Sequence, residues 1–169
     1  MNALTRRIVS VAALAIGFIV SPRAALARRA EVAMTVPVEV AAGETFDVPV
    51  SITAGKKRVM SYAIRLQFDP RVLKVVSVQG GTFDGFAADP VSNAAAFESG
   101  VVDFTANNAG FIRTPESFTV AMIKLTSVSA SAQETRLQLG ITPGNGLVNG
   151  RFRQMRVRIT GRSRRLAIR

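Results

Sequence analysis

The sequence predicts an all-β protein, a sandwich or barrel of eight or nine short strands. Three observations predict it. Apolar residues recur at every second position in run after run, turn signals rich in Gly, Pro and Asn separate the runs, and helical spacing is nearly absent after residue 27. Period-two spacing turns alternate side chains to opposite faces, so each run reads as a strand with one buried face.

The first run is Val32, Met34, Val36, Val38 and Val40. The turn Ala42-Gly43-Glu44 leads into Phe46, Val48, Val50 and Ile52, and the two runs make a strand pair. A polar, basic loop follows, Ala54-Gly55-Lys56-Lys57-Arg58. Tyr62, Ile64, Leu66 and Phe68 alternate next, which places Tyr62 in the core. That strand stops at Asp69-Pro70 because proline cannot donate to a ladder. Leu73 to Val78 is a short strand closed by Gly80-Gly81, and Thr82 to Ala96 is a long loop with at most one short strand. Val101 to Ala106 is a strand between Ser99-Gly100 and Asn107-Asn108-Ala109-Gly110. Phe118, Val120 and Met122, with Leu125, form a long strand running toward Val128, and Ser129 to Gln133 is a polar turn. Leu137, Leu139 and Ile141 precede the turn Pro143-Gly144-Asn145-Gly146. Met155, Val157 and Ile159 form the last strand, turning Gln154, Arg156 and Arg158 outward, with residues 161–169 as a basic tail.

The N-terminus reads as a signal peptide. Arg6 and Arg7 are followed by an apolar run from Ile8 to Val20, then Ser21-Pro22, and Ala25-Leu26-Ala27 supplies the small residues a signal peptidase admits. The apolar run is too short to cross a bilayer as a helix, which takes about 20 residues. Cleavage after Ala27 leaves one sandwich domain, residues 28–160, plus the tail, in an extracellular or periplasmic setting. With no Cys, the stability of this exported domain rests on hydrophobic burial, and thiolate metal sites are excluded. Residues 28–150 balance 11 Lys and Arg against 11 Asp and Glu, whereas residues 151–169 hold eight Arg and no acid. The positive charge is thus local to one end.

A family resemblance emerges from four segments in order. Phe68 followed by Asp69-Pro70-Arg71-Val72-Leu73-Lys74-Val75-Val76-Ser77-Val78 resembles the D-P-x-x-L-x-V-x-x-V signature of cohesin domains. Gly43-Glu44-Thr45-Phe46-Asp47-Val48-Pro49-Val50 is similar to that family's early strand, Thr119 to Leu125 to its late strand, and Val148-Asn149-Gly150 to the turn before its last strand. The resemblance covers residues 31 to about 160. It implies a single jelly-roll-like β-sandwich of about nine strands, related to cellulose-binding modules, that serves as a scaffold in extracellular polysaccharide breakdown. It also implies a protein partner, a dockerin-type module held on one flat sheet face. The chain departs from the family at that face. Ser61 and Ala63 stand where well-known members carry Asn and Asp, and Asn107 stands at an acidic position, so a non-standard contact is expected.

Chemistry is not expected. The sequence has no His and no Cys, which removes imidazole bases and thiolate nucleophiles. The acids Asp69, Asp84, Asp89, Glu98 and Asp103 sit at turns or strand ends, where carboxylates are ordinarily solvated or cap the backbone. Asp84, Asp89 and Asn93 offer oxygens for calcium without a D-x-D-x-D-G run, so no cofactor is implied. With no Trp, and with Phe111 the one ring expected to be exposed, crystalline polysaccharide is a poor ligand. The candidate contact face bears Arg65, Gln67 and Asn107. A second candidate is the basic patch Arg156, Arg158, Arg162, Arg164 and Arg165, which suits either a solvated edge or an anionic envelope surface. Nucleic acid is not expected for an exported chain. A non-catalytic protein-binding module, a carbohydrate-binding module, and a component of a pilus or secretion system remain the three functional readings.

Overall fold

The computed structural model describes residues 29–169, so the expected signal peptide of residues 1–27 lies outside the described residues. Twelve strands follow in order: β1 (Ala30–Met34), β2 (Glu39–Val40), β3 (Thr45–Thr53), β4 (Val59–Gln67), β5 (Leu73–Gly80), β6 (Val91–Ser92), β7 (Val101–Asn107), β8 (Ser117–Ser127), β9 (Gln133–Ile141), β10 (Val148–Asn149), β11 (Val157–Thr160) and β12 (Ser163–Ile168). The two-residue strands β2, β6 and β10 aside, nine remain, and eight of these, all but β12, answer to the alternating runs. They form two packed sheets. The smaller runs β11-β1-β3-β8-β5, and the larger runs β2-β12-β9-β4-β7-β6 with β10 beside β4. Val48, Val50 and Ile52 of β3 face Ile64 and Leu66 of β4, Val102 of β7 and Leu139 of β9 in one core, nearly all fully buried. Among the described residues no helix is long and apolar enough to cross a membrane.

Three local expectations are corrected. The first apolar run is not one strand. β1 pairs antiparallel with β3 as expected, Glu31 opposite Thr53 through Met34 opposite Val50. The strand ends before Pro37, which has no N–H to continue a ladder, and the chain then crosses to the larger sheet as β2. Val38, in the crossing, is 83% exposed instead of buried.

The second correction concerns Met122. The β3–β8 register jumps from Val50 opposite Ala121 to Ser51 opposite Thr119, which leaves Val120 as a bulge. The bulge reverses the inside–outside phase. Phe118 and Val120 point inward on one side of it, Ile123 and Leu125 on the other, and Met122 sits only partly buried opposite Pro49. The Val120 carbonyl accepts a hydrogen bond at 3.0 Å from the Tyr62 hydroxyl on the opposing sheet. Burial pushes the Tyr62 phenol above its usual range, so it stays a donor. Its ring lies 5.2 Å from Phe86 and 6.0 Å from Phe104, centroid to centroid.

The third correction is the basic tail. Residues 163–168 are not a tail but β12, a strand inside the larger sheet. It pairs antiparallel with β9 from Ser163 opposite Gln138 to Ile168 opposite Gln133, and parallel with β2. Leu166 and Ile168 are buried while the neighbouring arginines stay outside, so two apolar side chains suffice to recruit an Arg-rich segment to the sheet.

Candidate functional site

The outer face of the larger sheet gathers the predicted contact residues. On β4 the inward set is Tyr62, Ile64 and Leu66, so Ser61, Ala63, Arg65 and Gln67 take the other face. Register aligns each with a residue of β7: Ser61 with Asn107, Ala63 with Thr105, Arg65 with Asp103, and Gln67 with Val101. Arg65, Gln67 and Asn107 therefore share one face but do not form one cluster. Asn107 lies at one end of the β4–β7 pair and Gln67 at the other.

Between them Arg65 is already engaged. Its Nε and Nη2 donate to Oδ1 and Oδ2 of Asp103 at 2.8 and 2.6 Å, a bidentate pair. Thr142 Oγ1 donates to Asp103 Oδ1 at 3.0 Å, and the Asp103 backbone N–H donates to Asn93 Oδ1 at 2.7 Å. The hydrogen bond from Arg65, more than its charge, holds the Asp103 carboxyl below the usual carboxylate range. Asp103 is thus a structural anchor of the face, not a solvated turn acid. Beside it a shallow depression of about 400 Å³ is lined by Ala63, Val91, Ser92, Thr105 and Thr142 among others.

A depressed carboxyl pKa adds stability that is fully present above the unfolded-state value, near 4, and is lost as pH falls through the folded value. Asp103→Asn is therefore expected to lower the urea midpoint at pH 7 and to have much less effect at pH 2–3. An equal loss at both pH values contradicts the assignment.

The remaining expected sites behave differently. Arg156 and Arg158 belong to the β11 segment at the edge of the smaller sheet, where Arg158 is in register with Glu31 of β1. Arg162 lies in the turn before β12, and Arg164 and Arg165 lie on β12 in the larger sheet. The basic patch is thus divided between two sheets. On β12, Arg165 is directly opposite Arg136 of β9, both exposed and without an acidic partner among the described residues. In the loop considered for calcium, Asp89 Oδ1 accepts the Gly80 N–H at 3.0 Å and Asn93 serves Asp103. Among the described residues no three His, Cys, Asp or Glu converge on a metal position.

Two further residues shape the Asn107 end of the face. Asn108, 4% exposed, clamps the loop that follows β7. Its Nδ2 donates to the carbonyls of Val59 and Ile112 at 3.0 and 2.8 Å, and its Oδ1 accepts the Ile112 N–H at 3.1 Å. That loop presents Phe111, 61% exposed as expected, and the loop after β10 presents Phe152, 73% exposed, which the alternation does not single out. Asn149 Oδ1 holds the second loop by accepting the N–H groups of Arg151 and Arg153 at 2.8 and 3.2 Å. Phe111 and Phe152 have φ of 56° and 55°, the two positive-φ non-glycine residues of the described chain. Each such residue costs about 1–2 kcal/mol relative to an ordinary conformation. The sequence marks Phe152 only by its setting, an aromatic ring between two arginines just after an Asn-Gly turn.

Comparison with known proteins gives a consistent result. The family model "Cohesin domain" matches residues 32–148. Among solved structures, the Coh-OlpA–Doc918 complex from Clostridium thermocellum contains a chain that is similar with TM-score 0.68 and 14% identity, over 83% of this chain and 99% of that one. A cohesin module from a Clostridium perfringens family 33 glycoside hydrolase is similar with TM-score 0.68 and 15% identity, over 83% and 97%. A non-cellulosomal cohesin from the archaeon Archaeoglobus fulgidus is similar with TM-score 0.65 and 15% identity, over 83% and 91%. No curated protein matches the sequence.

Proposed function

The chain belongs to the cohesin domain family, and from that premise we propose that it is an exported receptor module holding a dockerin-type protein on the outer face of its larger sheet. At the coarser level it is a non-catalytic protein-interaction module with a jelly-roll-like sandwich. The solved complexes with dockerin partners support the finer reading, and Arg6 to Ala27 supports export to the periplasm or beyond.

The observation that carries the reading is the make-up of the face itself. Its centre is internally neutralised by Arg65 and Asp103, while Arg136 and Arg165 oppose each other across β9 and β12. Like charges directly opposite on a sheet are unfavourable, and an acidic partner surface relieves them. Ser61 and Ala63 leave the floor without the larger polar groups of well-known members, so affinity is expected to depend on that basic strip.

Calorimetric titration of residues 28–169 with a panel of calcium-loaded dockerin modules tests this. At least one module is expected to bind, and the Arg136→Glu, Arg165→Glu double variant to weaken it at least tenfold. Higher salt is expected to weaken binding to the unaltered domain. No binding by any module, or binding indifferent to the charge reversal, overturns the proposal. Retention on insoluble cellulose or chitin in place of dockerin binding transfers the face to carbohydrate.

A further inference from the structure

We propose that the hollow between Phe111 and Phe152 is a socket for one apolar side chain carried on an acidic segment of the partner protein. This deepens the reading of the outer face and rests on it, since the hollow lies at the Asn107 end of that face.

The hollow has a volume of about 260 Å³ and is lined by Met60, Ser61, Asn107, Asn108 and Val148, with the two rings completing it. That is room for one large side chain, below the size of pockets that enclose whole small molecules. Two loops from different parts of the chain each bring an exposed Phe to it, and each does so through a backbone conformation that disfavours Phe. Folding does not require either ring, because glycine meets the same φ without strain and neither ring is buried. Strain kept at two positions around one hollow, each time to present an aromatic ring, points to contact with something outside the domain.

Charge names the kind of partner. Arg151 and Arg153 flank Phe152, and Arg113 follows Phe111 by two residues. Arg58 lies against the same loop, its Cδ so near Gly150 that an added Cβ there would sit 3.2 Å away. All four arginines are exposed, and none takes part in an ion pair among the described residues. A hollow whose two loops also carry unpaired, exposed arginines complements an apolar side chain set among carboxylates. A hot spot of this shape, an anchor in a pocket with a polar rim, is how protein interfaces concentrate their affinity.

Fluorescence anisotropy with synthetic peptides of one length tests the socket. The probes carry a central Leu or Phe in an Asp/Glu background, the same background with central Ser, and the Leu peptide with Lys in place of the acids. The acidic Leu or Phe peptide is expected to bind, and both counterparts to lose at least tenfold. Phe111→Gly and Phe152→Gly are expected to lose at least tenfold as well, while their melting temperatures hold or rise because the strain is relieved. Lys74→Ser, an exposed charge on β5 of the smaller sheet, should leave peptide binding unchanged.

Equal binding of the central-Ser peptide reduces the effect to bulk electrostatics and overturns the socket, as does no peptide binding at all. Displacement of the peptide by soluble polysaccharide assigns the hollow to sugar. Self-association abolished by Phe152→Gly assigns it to a second copy, and either outcome overturns the proposal. If dockerin modules bind the unaltered domain and both glycine variants equally, the socket fails while the sheet-face reading stands. If peptides bind and no dockerin module does, the reverse holds.

Discussion

Deletion of residues 161–169 is expected to unfold the domain, not to trim its surface. β12 fills a position inside the larger sheet, between β9 and β2, and contributes Leu166 and Ile168 to the core. Each fully buried Leu or Ile side chain is worth roughly 1.5–3 kcal/mol. The six-residue register with β9 is lost as well. So are the backbone hydrogen bonds from Ala42 N–H to the Arg169 carbonyl at 2.8 Å and from Arg169 N–H to the Val40 carbonyl at 3.0 Å. Against a typical domain stability of about 5–15 kcal/mol, a loss of this size leaves little or no folded protein at 37 °C. Circular dichroism with a thermal ramp reads the outcome. Arg164→Ser with Arg165→Ser, which keeps the strand and removes only exposed charge, is expected to shift the melting temperature by no more than a few degrees. A truncated domain that melts like the intact one refutes the placement of β12 as structural.

Asn108→Ala is expected to cost about 3 kcal/mol, a large effect for one polar side chain. The amide is buried and makes three hydrogen bonds, all to backbone groups, so its loss strands the buried carbonyl of Val59 on β4 and frees the N–H and carbonyl of the exposed Ile112 from the clamp. Buried groups left without partners carry most of the penalty, about 1–3 kcal/mol each where water cannot reach them. Urea titration gives the loss in stability. Amide hydrogen exchange should show the loop from Ala109 to Ile112 opening faster in the variant, since Asn108 is what ties it to β4. Unchanged exchange there would separate Asn108 from the positioning of Phe111.

Much of the fold was legible because alternation survives wherever a strand is regular. Phe46, Val48, Val50 and Ile52, and then Tyr62, Ile64 and Leu66, are buried as their spacing predicts. Legibility failed where geometry departs from the regular pleat. No residue type announces that Val120 bulges, so Met122 is assigned to the core by a phase that reverses two residues earlier. β12 was hidden by its charge: its inward pair, Leu166 and Ile168, sits among residues whose dominant sequence signal is arginine.

The candidate face divides in the same way. That Arg65, Gln67 and Asn107 share a face follows from period two and turn placement, both of which are local. That Arg65 meets Asp103, or that Asn108 reaches Val59, depends on the register between β4 and β7, a non-local fact that spacing along one strand does not contain. Asn108 in particular reads as an ordinary turn residue until its partners are known.

The pairing of β1 with β11 and of β2 with β12 has a kinetic meaning. These are parallel pairings between residues more than 120 positions apart, Ala30 with Val157 and Val40 with Ile168. Contacts of such separation carry the loop-closure cost of nearly the whole domain and form late on the folding path. As the chain emerges in order, β1 lacks its partner until residue 160 is delivered and β2 until residue 168. An incomplete sandwich stays pliable for that whole interval, a delay that would serve the export proposed above.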